Sequence, residues 1–212
     1  YYKGKVYGDI WGFKVDRLYQ NTDFVYDSNG NLVTEVVTSG KGKGVTINKL
    51  SDSNAPNQGY LQSGSLVFGP GDVKYKDLDG DGEITQGDNT IDNHGDKVVI
   101  GNSTPRYQYS FRLGADYKGF DFQAQFQGVA GVKGLLNEYS GFAFWSEGNI
   151  QRWQADGRFS PNNPQRYPDY PRLENLGNVV GPNTQTSDFW ILDASYVRLK
   201  NIQIGYTIPI IT

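Results

Sequence analysis

Residues Asp77 to Asp88 have the types and spacing of a calcium-binding loop. Their sequence is DLDGDGEITQGD, with carboxylates at the first, third, fifth and twelfth positions and a glycine at the sixth. In twelve-residue calcium loops, alternate side chains supply oxygen ligands, the sixth residue makes a sharp turn and the seventh offers its backbone carbonyl. The spacing therefore predicts a structural calcium site with Asp77, Asp79, Asp81 and Asp88 as side-chain ligands and Glu83 as the carbonyl ligand.

The segments around this loop limit what it can be. Position twelve is Asp88, where such loops usually carry the longer Glu, so the closing ligand would be shorter. The flanking residues show no helical period, which argues against a helix–loop–helix calcium sensor. An acidic, glycine-rich solvated turn without metal is the alternative interpretation. With metal bound, we expect the loop to brace the chain and to perform no chemistry.

The composition excludes several classes of function. The 212 residues include 27 Gly, 15 Tyr, 11 Phe and 4 Trp, which favours strands and loops over a helical bundle. The absence of Cys excludes disulfides, thiol catalysis and cysteine-based zinc sites, and the single histidine, His94, argues against a histidine-dependent triad. A net charge of −3 without a basic tract argues against nucleic-acid binding. No nucleophile–base pairing stands out, so we predict that the protein is not an enzyme.

The elements that must position the loop are strands with a two-residue period. Two apolar stripes alternate with polar residues over 106–117 and 120–127, and Lys118-Gly119 between them predicts a tight antiparallel turn. Each stripe has about the length of a tilted transmembrane β-strand, and tyrosines stand at both ends of the first. The polar faces carry Arg, Asp and Gln, as in a wet barrel lumen. The alternative interpretation is an ordinary sandwich hairpin with its apolar face in a core.

Two further strands complete the predicted layout. Residues 3–19 alternate with Tyr7, Trp11, Phe13 and Val15 on one face. Residues 195–209 alternate too, but the apolar parity switches near Lys200-Asn201, which predicts a β-bulge or two regions with different neighbours. Residues 38–70 are predicted to be exposed loop, and a short helix is predicted within 147–156. About four long strands joined alternately by a tight turn and long connections are typical of outer-membrane barrels.

Aromatic side chains in the connection over 131–193 are candidate ligand contacts. Tyr139, Trp145 and Trp153 could stack on sugar rings or receive a peptide side chain, as could Phe142 and Phe144. The alternative is that these aromatics anchor the connection to the barrel rim or to a partner protein. The sequence alone leaves both interpretations open.

Several runs along the chain resemble one protein family, the SusC/RagA-type TonB-dependent outer-membrane transporters. The similarity extends over nearly the whole chain, and the order of the runs makes it more specific than any single motif. The runs are GDVKYKDLDGDG at 71–82, IGNSTPRY at 100–107, GADYKGFDF at 114–122, YPDYPRL at 167–173 and SYVRLKNI at 195–202.

The resemblance implies an all-β fold, a transmembrane barrel of about 22 antiparallel strands with a plug domain. It implies location in the outer membrane of a Gram-negative bacterium, in contact with lipid. It also implies import of oligosaccharides or peptides beneath a SusD-like surface lipoprotein, with energy from the TonB complex. Residues 1–212 would be one portion of the C-terminal half of the barrel domain, without the plug and the final strands.

Within that family, residues 20–105, with the acidic loop, and residues 131–193 would be long extracellular loops. A second function, from another class, is a secreted, calcium-braced β-sandwich that binds glycans. The two differ in what the aromatic stripes face, because a barrel presents them to lipid and a sandwich packs them against a second sheet.

Overall fold

The computed structural model describes residues 4–62, 66–160, 169–174 and 181–208, and these are mostly strands and irregular segments. The two α-helices in this part of the chain are short, α1 (Glu138–Gly141) and α2 (Arg152–Gly157). No helix in the described ranges is long and apolar enough to cross a membrane. The predicted all-β fold class is confirmed. The strands are β1 (Asp9–Phe13), β2 (Val15–Leu18), β3 (Thr34–Val36), β4 (Thr46–Asn48), β5 (Val73–Tyr75), β6 (Lys97–Asn102), β7 (Tyr107–Tyr117), β8 (Phe120–Ala130), β9 (Lys133–Leu135), β10 (Ile191–Asp193) and β11 (Tyr196–Tyr206).

The chain divides into two compact units. One comprises residues 1–6, 11–100 and 135–191, and is called the loop unit because it holds the acidic loop and most of the predicted long connections. The other comprises residues 7–10, 101–134 and 192–212, and is called the sheet unit because it holds the three longest strands.

The core of the sheet unit is a three-stranded antiparallel sheet in the order β7, β8, β11. Lys118 and Gly119 join β7 to β8 with φ of 48° and 86°, so both central residues of this two-residue turn are left-handed. That is the backbone of a type I′ turn, whose twist matches the right-handed twist of the flanking strands. The predicted hairpin and its turn are confirmed.

The register places every apolar stripe on one face of this sheet. Phe111 lies opposite Phe126, and Phe126 lies opposite Leu199. The register of β11 shifts between Leu199 and Asn201, so Ile202 comes to lie opposite Ala124. One extra residue thus restores Ile202 to the face that Leu199 occupies, as a β-bulge does. The predicted bulge is confirmed, and it accounts for the parity switch in the sequence.

The apolar side chains of β7 and β11 are exposed, and on β8 Phe120 and Phe122 are exposed whereas Ala124 is buried. Leu113 is 54% exposed, Ile202 55% and Ile204 73%, and the rings of Phe111 and Phe126 stack with centroids 4.8 Å apart. Exposed apolar side chains along β7 and β11 and at the start of β8, strands of 11 residues each, are what a lipid-facing surface requires. A β-sandwich would bury this face, so its exposure disfavours the sandwich interpretation.

The strand of roughly ten residues predicted within 3–19 is present, but it is interrupted at Lys14 and so forms β1 and β2. β2 pairs antiparallel with β5, and the register of this pair shifts between Val15 and Arg17. Phe13 and Leu18 are almost wholly buried in a core cluster, whose other members are Leu61, Val73, Tyr75, Ile84 and Phe159. The physical reason is that these side chains pack against other residues of the loop unit. The register shift lets residues of opposite parity enter one core.

The prediction of exposed loop over residues 38–70 is wrong. Ile47, Leu61 and Phe68 are at most 6% exposed, and Ile47 and Phe68 join Tyr19 and Phe24 in a second core cluster. A third cluster of Phe142, Ala143, Tyr170 and Trp190 lies in the later connection. There the predicted helix is confirmed as α2, although it begins five residues later than the predicted segment.

A buried ionic cluster links distant parts of the loop unit. Arg172 donates from Nε to Asp72 at 2.5 Å and from Nη2 at 2.8 Å, and Nη2 also lies 2.6 Å from Glu174. Asn183 donates to both carboxylates, and its Oδ1 accepts the Val73 N–H at 2.8 Å. The Asp72 side chain is fully buried and that of Glu174 is 5% exposed. Arg172 belongs to the run 167–173, of which Tyr167 and Pro168 lie outside the described residues.

Replacing Arg172→Ala should destabilise the loop unit strongly. It would leave Asp72 buried without a counter-charge, a change that costs about 3–5 kcal/mol in comparable pairs. The matched control is Arg152→Ala, whose partner Asp156 is also an aspartate but whose ion pair is exposed, at 94% and 69%. Such surface pairs contribute about 0–1 kcal/mol. Urea unfolding followed by tryptophan fluorescence measures both, and equal effects would contradict a structural role for the buried pair.

Glu174 should make stability depend on pH. Burial and the negative charge of Asp72 raise the pKa of Glu174 to about 7 from its ordinary 4.5. A carboxyl whose folded pKa is raised favours folding most at low pH, and this contribution is lost as pH rises from about 4.5 to 7. The free energy of unfolding of Glu174→Gln minus that of wild type should therefore be larger at pH 7.5 than at pH 4.5. Unfolding curves at both values test this, and an unchanged difference would count against it.

Candidate functional site

The acidic loop is held in shape by its own first carboxylate. Asp77 accepts the Gly80 N–H at 2.6 Å and the Gly82 N–H at 2.9 Å. Gly80 and Gly82 have φ of 77° and 84°, a left-handed backbone that favours glycine. Asp79 accepts the Asp81 N–H at 3.2 Å. The DLDGDG sequence thus folds into consecutive turns because its carboxylates and glycines satisfy each other's requirements.

The far side of the loop is anchored in the core. Ile84, at the eighth position, is fully buried in the first core cluster. Its N–H donates to the Asn57 carbonyl at 2.8 Å, and the Asn57 N–H donates to the Gly82 carbonyl at 2.9 Å. The glycine-rich first half of the loop is solvent-exposed, whereas these contacts fix the second half to the core.

Asp96 is the residue that sequence reasoning missed. It is fully buried, and its two oxygens accept the Leu78 N–H at 2.6 Å and the Thr85 N–H at 2.8 Å. Burial raises the pKa of Asp96, and the nearby carboxylates of Asp79 and Asp77 raise it further. One feature of the sequence could have identified it. Asp96 lies between Gly95 and the apolar run of β6, so a carboxylate stands at the start of a strand.

Three carboxylates converge at this point. One oxygen each of Asp77, Asp79 and Asp96 lies within 4.8 Å of the others. The ion pairs between described residues include none of the three, so no basic side chain in that part of the chain neutralises them. An all-oxygen, anionic donor set suits a hard cation such as calcium, because the ion offsets the repulsion among the carboxylates. The residues present therefore fit the predicted metal.

The other predicted ligands lie elsewhere in the loop. Asp81 accepts the Glu83 N–H at 2.8 Å, and Glu83 turns its carboxylate to the Lys41 N–H at 2.8 Å. Asp88 accepts from the Asn93 side chain at 2.7 Å and lies 3.5 Å from the Lys41 ammonium. None of these three joins the group of converging carboxylates. Asp81 and Glu83 instead border an open groove of about 700 Å³, beside β3 and residues 37–40.

The structure separates the three candidate aromatic residues. Tyr139 is 63% exposed. Trp153 is 39% exposed, its Nε1 donates to Gln151 at 2.7 Å, and its ring meets that of Tyr170 edge-on at 5.5 Å. Trp145 is half-buried and lies edge-on to Phe142, with ring centroids 5.5 Å apart. Of the three, Trp145 alone lines a cavity of about 230 Å³, together with Phe142 and Trp190.

Comparison with known proteins gives two related receptors, whereas no protein-family model matches the chain. TonB-dependent receptor P3 of Formosa agariphila is 34% identical over 144 residues, which cover 66% of this chain and 12% of that receptor. TonB-dependent receptor P26 of the same organism is 29% identical over 141 residues, which cover 66% of this chain and 13% of that receptor.

The chain thus spans roughly an eighth of the length of the curated relatives it matches. The confirmed hairpin, the bulge in β11 and the exposed apolar face agree with the strand pattern of an outer-membrane barrel. Sequence and fold lead to the same conclusion: the chain is homologous to a segment of the TonB-dependent receptors.

Proposed function

We propose that the chain is a barrel-wall and loop segment of an outer-membrane, TonB-dependent importer of the SusC/RagA type. The observation that carries this is the apolar face shared by three antiparallel strands of 11 residues and largely exposed on its outer two strands, in a chain related to TonB-dependent receptors. A strand of this length, tilted, spans the hydrocarbon core of a bilayer. The exposed stripe is then the lipid contact of the barrel wall.

The opposite face of the sheet supports a wet lumen. Arg112 lies opposite Gln125, and Gln125 lies opposite Asn201. Ser110, Gln127 and Arg198 form the adjacent row, in which Arg198 donates to Gln127 at 3.4 Å. Alternation of lipid-facing apolar and lumen-facing polar residues along every strand is the signature of a transmembrane barrel.

The connections suggest the orientation of the strands. The two-residue turn at Lys118-Gly119 is at one end of the sheet, and the long connection between β8 and β11 leaves from the other end. Outer-membrane barrels place short turns in the periplasm and long loops outside the cell. We therefore assign residues 20–105 and 131–193 to the extracellular side.

The cargo and partners follow from the family resemblance and the loops. The cargo is an oligosaccharide or a peptide, the surface partner is a SusD-like lipoprotein, and the TonB complex supplies energy through other parts of the receptor. The aromatic residues of the extracellular connections offer contacts to either cargo. The importer performs no covalent chemistry on its cargo.

The acidic loop acts in this proposal as a calcium-braced extracellular element. Asp77, Asp79 and Asp96 would hold the ion, because their oxygens converge and Asp96 already ties Leu78 to Thr85. Bound calcium would offset the charge of three neighbouring carboxylates, and so keep the turn closed against the first core cluster.

The proposed topology can be tested with single cysteines, since the chain contains none. In the full-length receptor, Tyr139→Cys should react with a membrane-impermeant maleimide on intact cells. Thr207→Cys lies at the tight-turn end, where its N–H donates to the Gly119 carbonyl, and should react only after the outer membrane is permeabilised. Labelling of both on intact cells, or of neither, would overturn the assignment.

Transport itself is tested by uptake. Cells that carry the full-length receptor should accumulate fluorescently labelled oligosaccharides or peptides, and a protonophore should abolish uptake because the imported cargo is moved by inner-membrane energy. Deleting the receptor is the matched control. Uptake of the labelled cargo that is insensitive to both treatments would contradict the proposed function.

The calcium site is tested by comparing three aspartates, two inside the group of converging carboxylates and one outside it. Calcium at about one hundred times its Kd should stabilise the protein by about 2.7 kcal/mol, because the ion binds only the folded loop. Asp79→Asn and Asp96→Asn should remove this stabilisation, whereas Asp88→Asn should keep it. Calorimetric titration and unfolding with and without calcium measure both effects.

The outcomes separate two versions of the site. Loss of binding in Asp88→Asn, with binding retained in Asp96→Asn, would favour the ligand set that the loop spacing predicts. Absence of calcium-dependent heat and stabilisation in the wild-type protein would remove the metal from the proposal.

A further inference from the structure

We propose that the cavity beside Trp145 is a binding subsite for one neutral pyranose ring. The inference rests on the proposed function and sharpens it, because it names the class of sugar that the extracellular segments recognise. The cavity, here called the Trp145 pocket, is lined by Leu135, Leu136, Phe142, Trp145 and Trp190 on its apolar side, and by Asn137, Glu138 and residues 184–186 on its polar side.

The size of the Trp145 pocket suits a single ring. Its volume is about 230 Å³, small for a pocket that takes a whole organic ligand, since such pockets run from about 300 to 1,000 Å³. A monosaccharide unit fits this space, and the rest of an oligosaccharide would extend outside it. The pocket is partly open, so a ring at the end of a chain can enter while its glycosidic oxygen points to solvent.

The apolar side of the pocket is rigid. Phe142 meets Trp190 edge-on with centroids 5.3 Å apart, and Trp190 is 2% exposed. The Trp190 indole N–H donates to the Asn183 carbonyl at 2.9 Å, and the Leu136 N–H donates to the Trp190 carbonyl at 2.8 Å. These bonds fix the wall in advance of binding, which lowers the entropy cost of association.

Trp145 supplies the adaptable part of that side. It is half-buried, and its backbone carbonyl is held by the Gly148 N–H at 2.8 Å. The face of an indole ring carries partial negative charge, and the axial C–H bonds of a pyranose carry partial positive charge, so the two surfaces attract. Stacking of this kind needs a flat aromatic face beside polar groups, and the pocket has both.

The polar side can bind the hydroxyls of a sugar. Glu138 is exposed, and its carboxylate has no partner among the described residues. Gln185 uses its Nε2 to donate to the Gly181 carbonyl at 3.3 Å, which leaves its Oε1 as an acceptor, and Thr186 adds a hydroxyl. A carboxylate and an amide can each accept from a sugar hydroxyl, and a threonine hydroxyl can donate or accept.

The charge of the pocket selects against anionic sugars. Among the described residues that line it, Glu138 is the one carboxylate and none is Lys or Arg. A uronate or a sulfated ring would bring a second negative charge next to Glu138 without a counter-charge, which costs affinity. An apolar peptide side chain could not donate to Glu138 or Gln185, so it would gain no hydrogen bonds from the polar side of the pocket, whereas a sugar hydroxyl would.

Backbone strain is concentrated in the segment that carries the pocket. Glu138, Phe144, Ser146 and Glu147 have φ of 45°, 59°, 48° and 63°, in the left-handed region that non-glycine residues rarely adopt. Four of the six positive-φ non-glycine residues in the described chain thus lie within ten positions. Such strain is retained where the surrounding structure holds it, often at ligand clamps.

The test is ligand-observed NMR on the full-length receptor in detergent. The probes are the methyl pyranosides of glucose, mannose and galactose, methyl glucuronide as the anionic ring and N-acetyl-leucinamide as the peptide side chain. At least one neutral pyranoside should receive saturation at its ring C–H protons, and glucuronide should bind more weakly. Binding of N-acetyl-leucinamide without any neutral pyranoside, or equal binding of glucuronide, would overturn the proposal.

Matched variants locate the binding. Glu138→Gln should weaken the pyranoside about tenfold, the loss of one charged hydrogen bond. Its control is Glu147→Gln, another exposed glutamate with positive φ that does not line the pocket. Trp145→Phe should weaken binding, and Trp153→Phe should not. Equal effects within either pair would place the sugar elsewhere and contradict the Trp145 pocket.

The pocket proposal and the importer proposal can be disproved independently of each other. If neutral pyranosides bind with the expected variant pattern but cells show no energy-dependent uptake, the pocket stands and the proposed function fails. If uptake is energy-dependent but no neutral pyranoside binds the receptor, the importer stands and the pocket inference fails.

Discussion

The antiparallel register of β8 with its two neighbours is the constraint on which the sheet unit depends. Side chains alternate between the faces of a sheet, so a slip of one residue would move every apolar side chain of a strand to the wet face. The tight turn at Lys118-Gly119 fixes the register with β7. The bulge between Leu199 and Asn201 fixes it with β11, and lets Leu199 and Ile202 share one face despite their opposite parity. One inserted residue therefore keeps the apolar and polar faces of the sheet separate.

The sequence predicted this part of the fold because its determinants are local. Alternation over ten residues and a Lys-Gly turn are read directly, and the parity switch marks the bulge. The loop unit was predicted less well because its determinants are not local. Ile47 and Phe68 stand in polar, glycine-rich surroundings, and their burial depends on packing with Tyr19 and Phe24, which lie well before them in the chain. The interruption of the strand within residues 3–19 could not be predicted for a similar reason, since its apolar residues enter a core formed with β5.

The candidate metal centre shows the same limit. The DLDGDG spacing identified Asp77 and Asp79, which lie together, because turn chemistry within six residues brings them there. The spacing could not identify Asp96, whose approach depends on where β6 begins and on bonds to Leu78 and Thr85. Trp145 is a similar case. The sequence alone does not distinguish it from Tyr139 and Trp153, which are aromatic residues of the same connection. Only the packing of Phe142 and Trp190 distinguishes it.

The buried cluster around Arg172 has a consequence for the order of folding. Its bonds join Arg172 to Asp72 across 100 positions, and Asn183 to Val73 across 110. Such contacts close very long loops, whose entropy cost must be met before the contact stabilises anything, and chains rich in them fold slowly. The first half of the loop unit therefore cannot reach its final packing until the segment around residue 183 has been synthesised. The β7–β8 hairpin has local contacts, and can pair earlier.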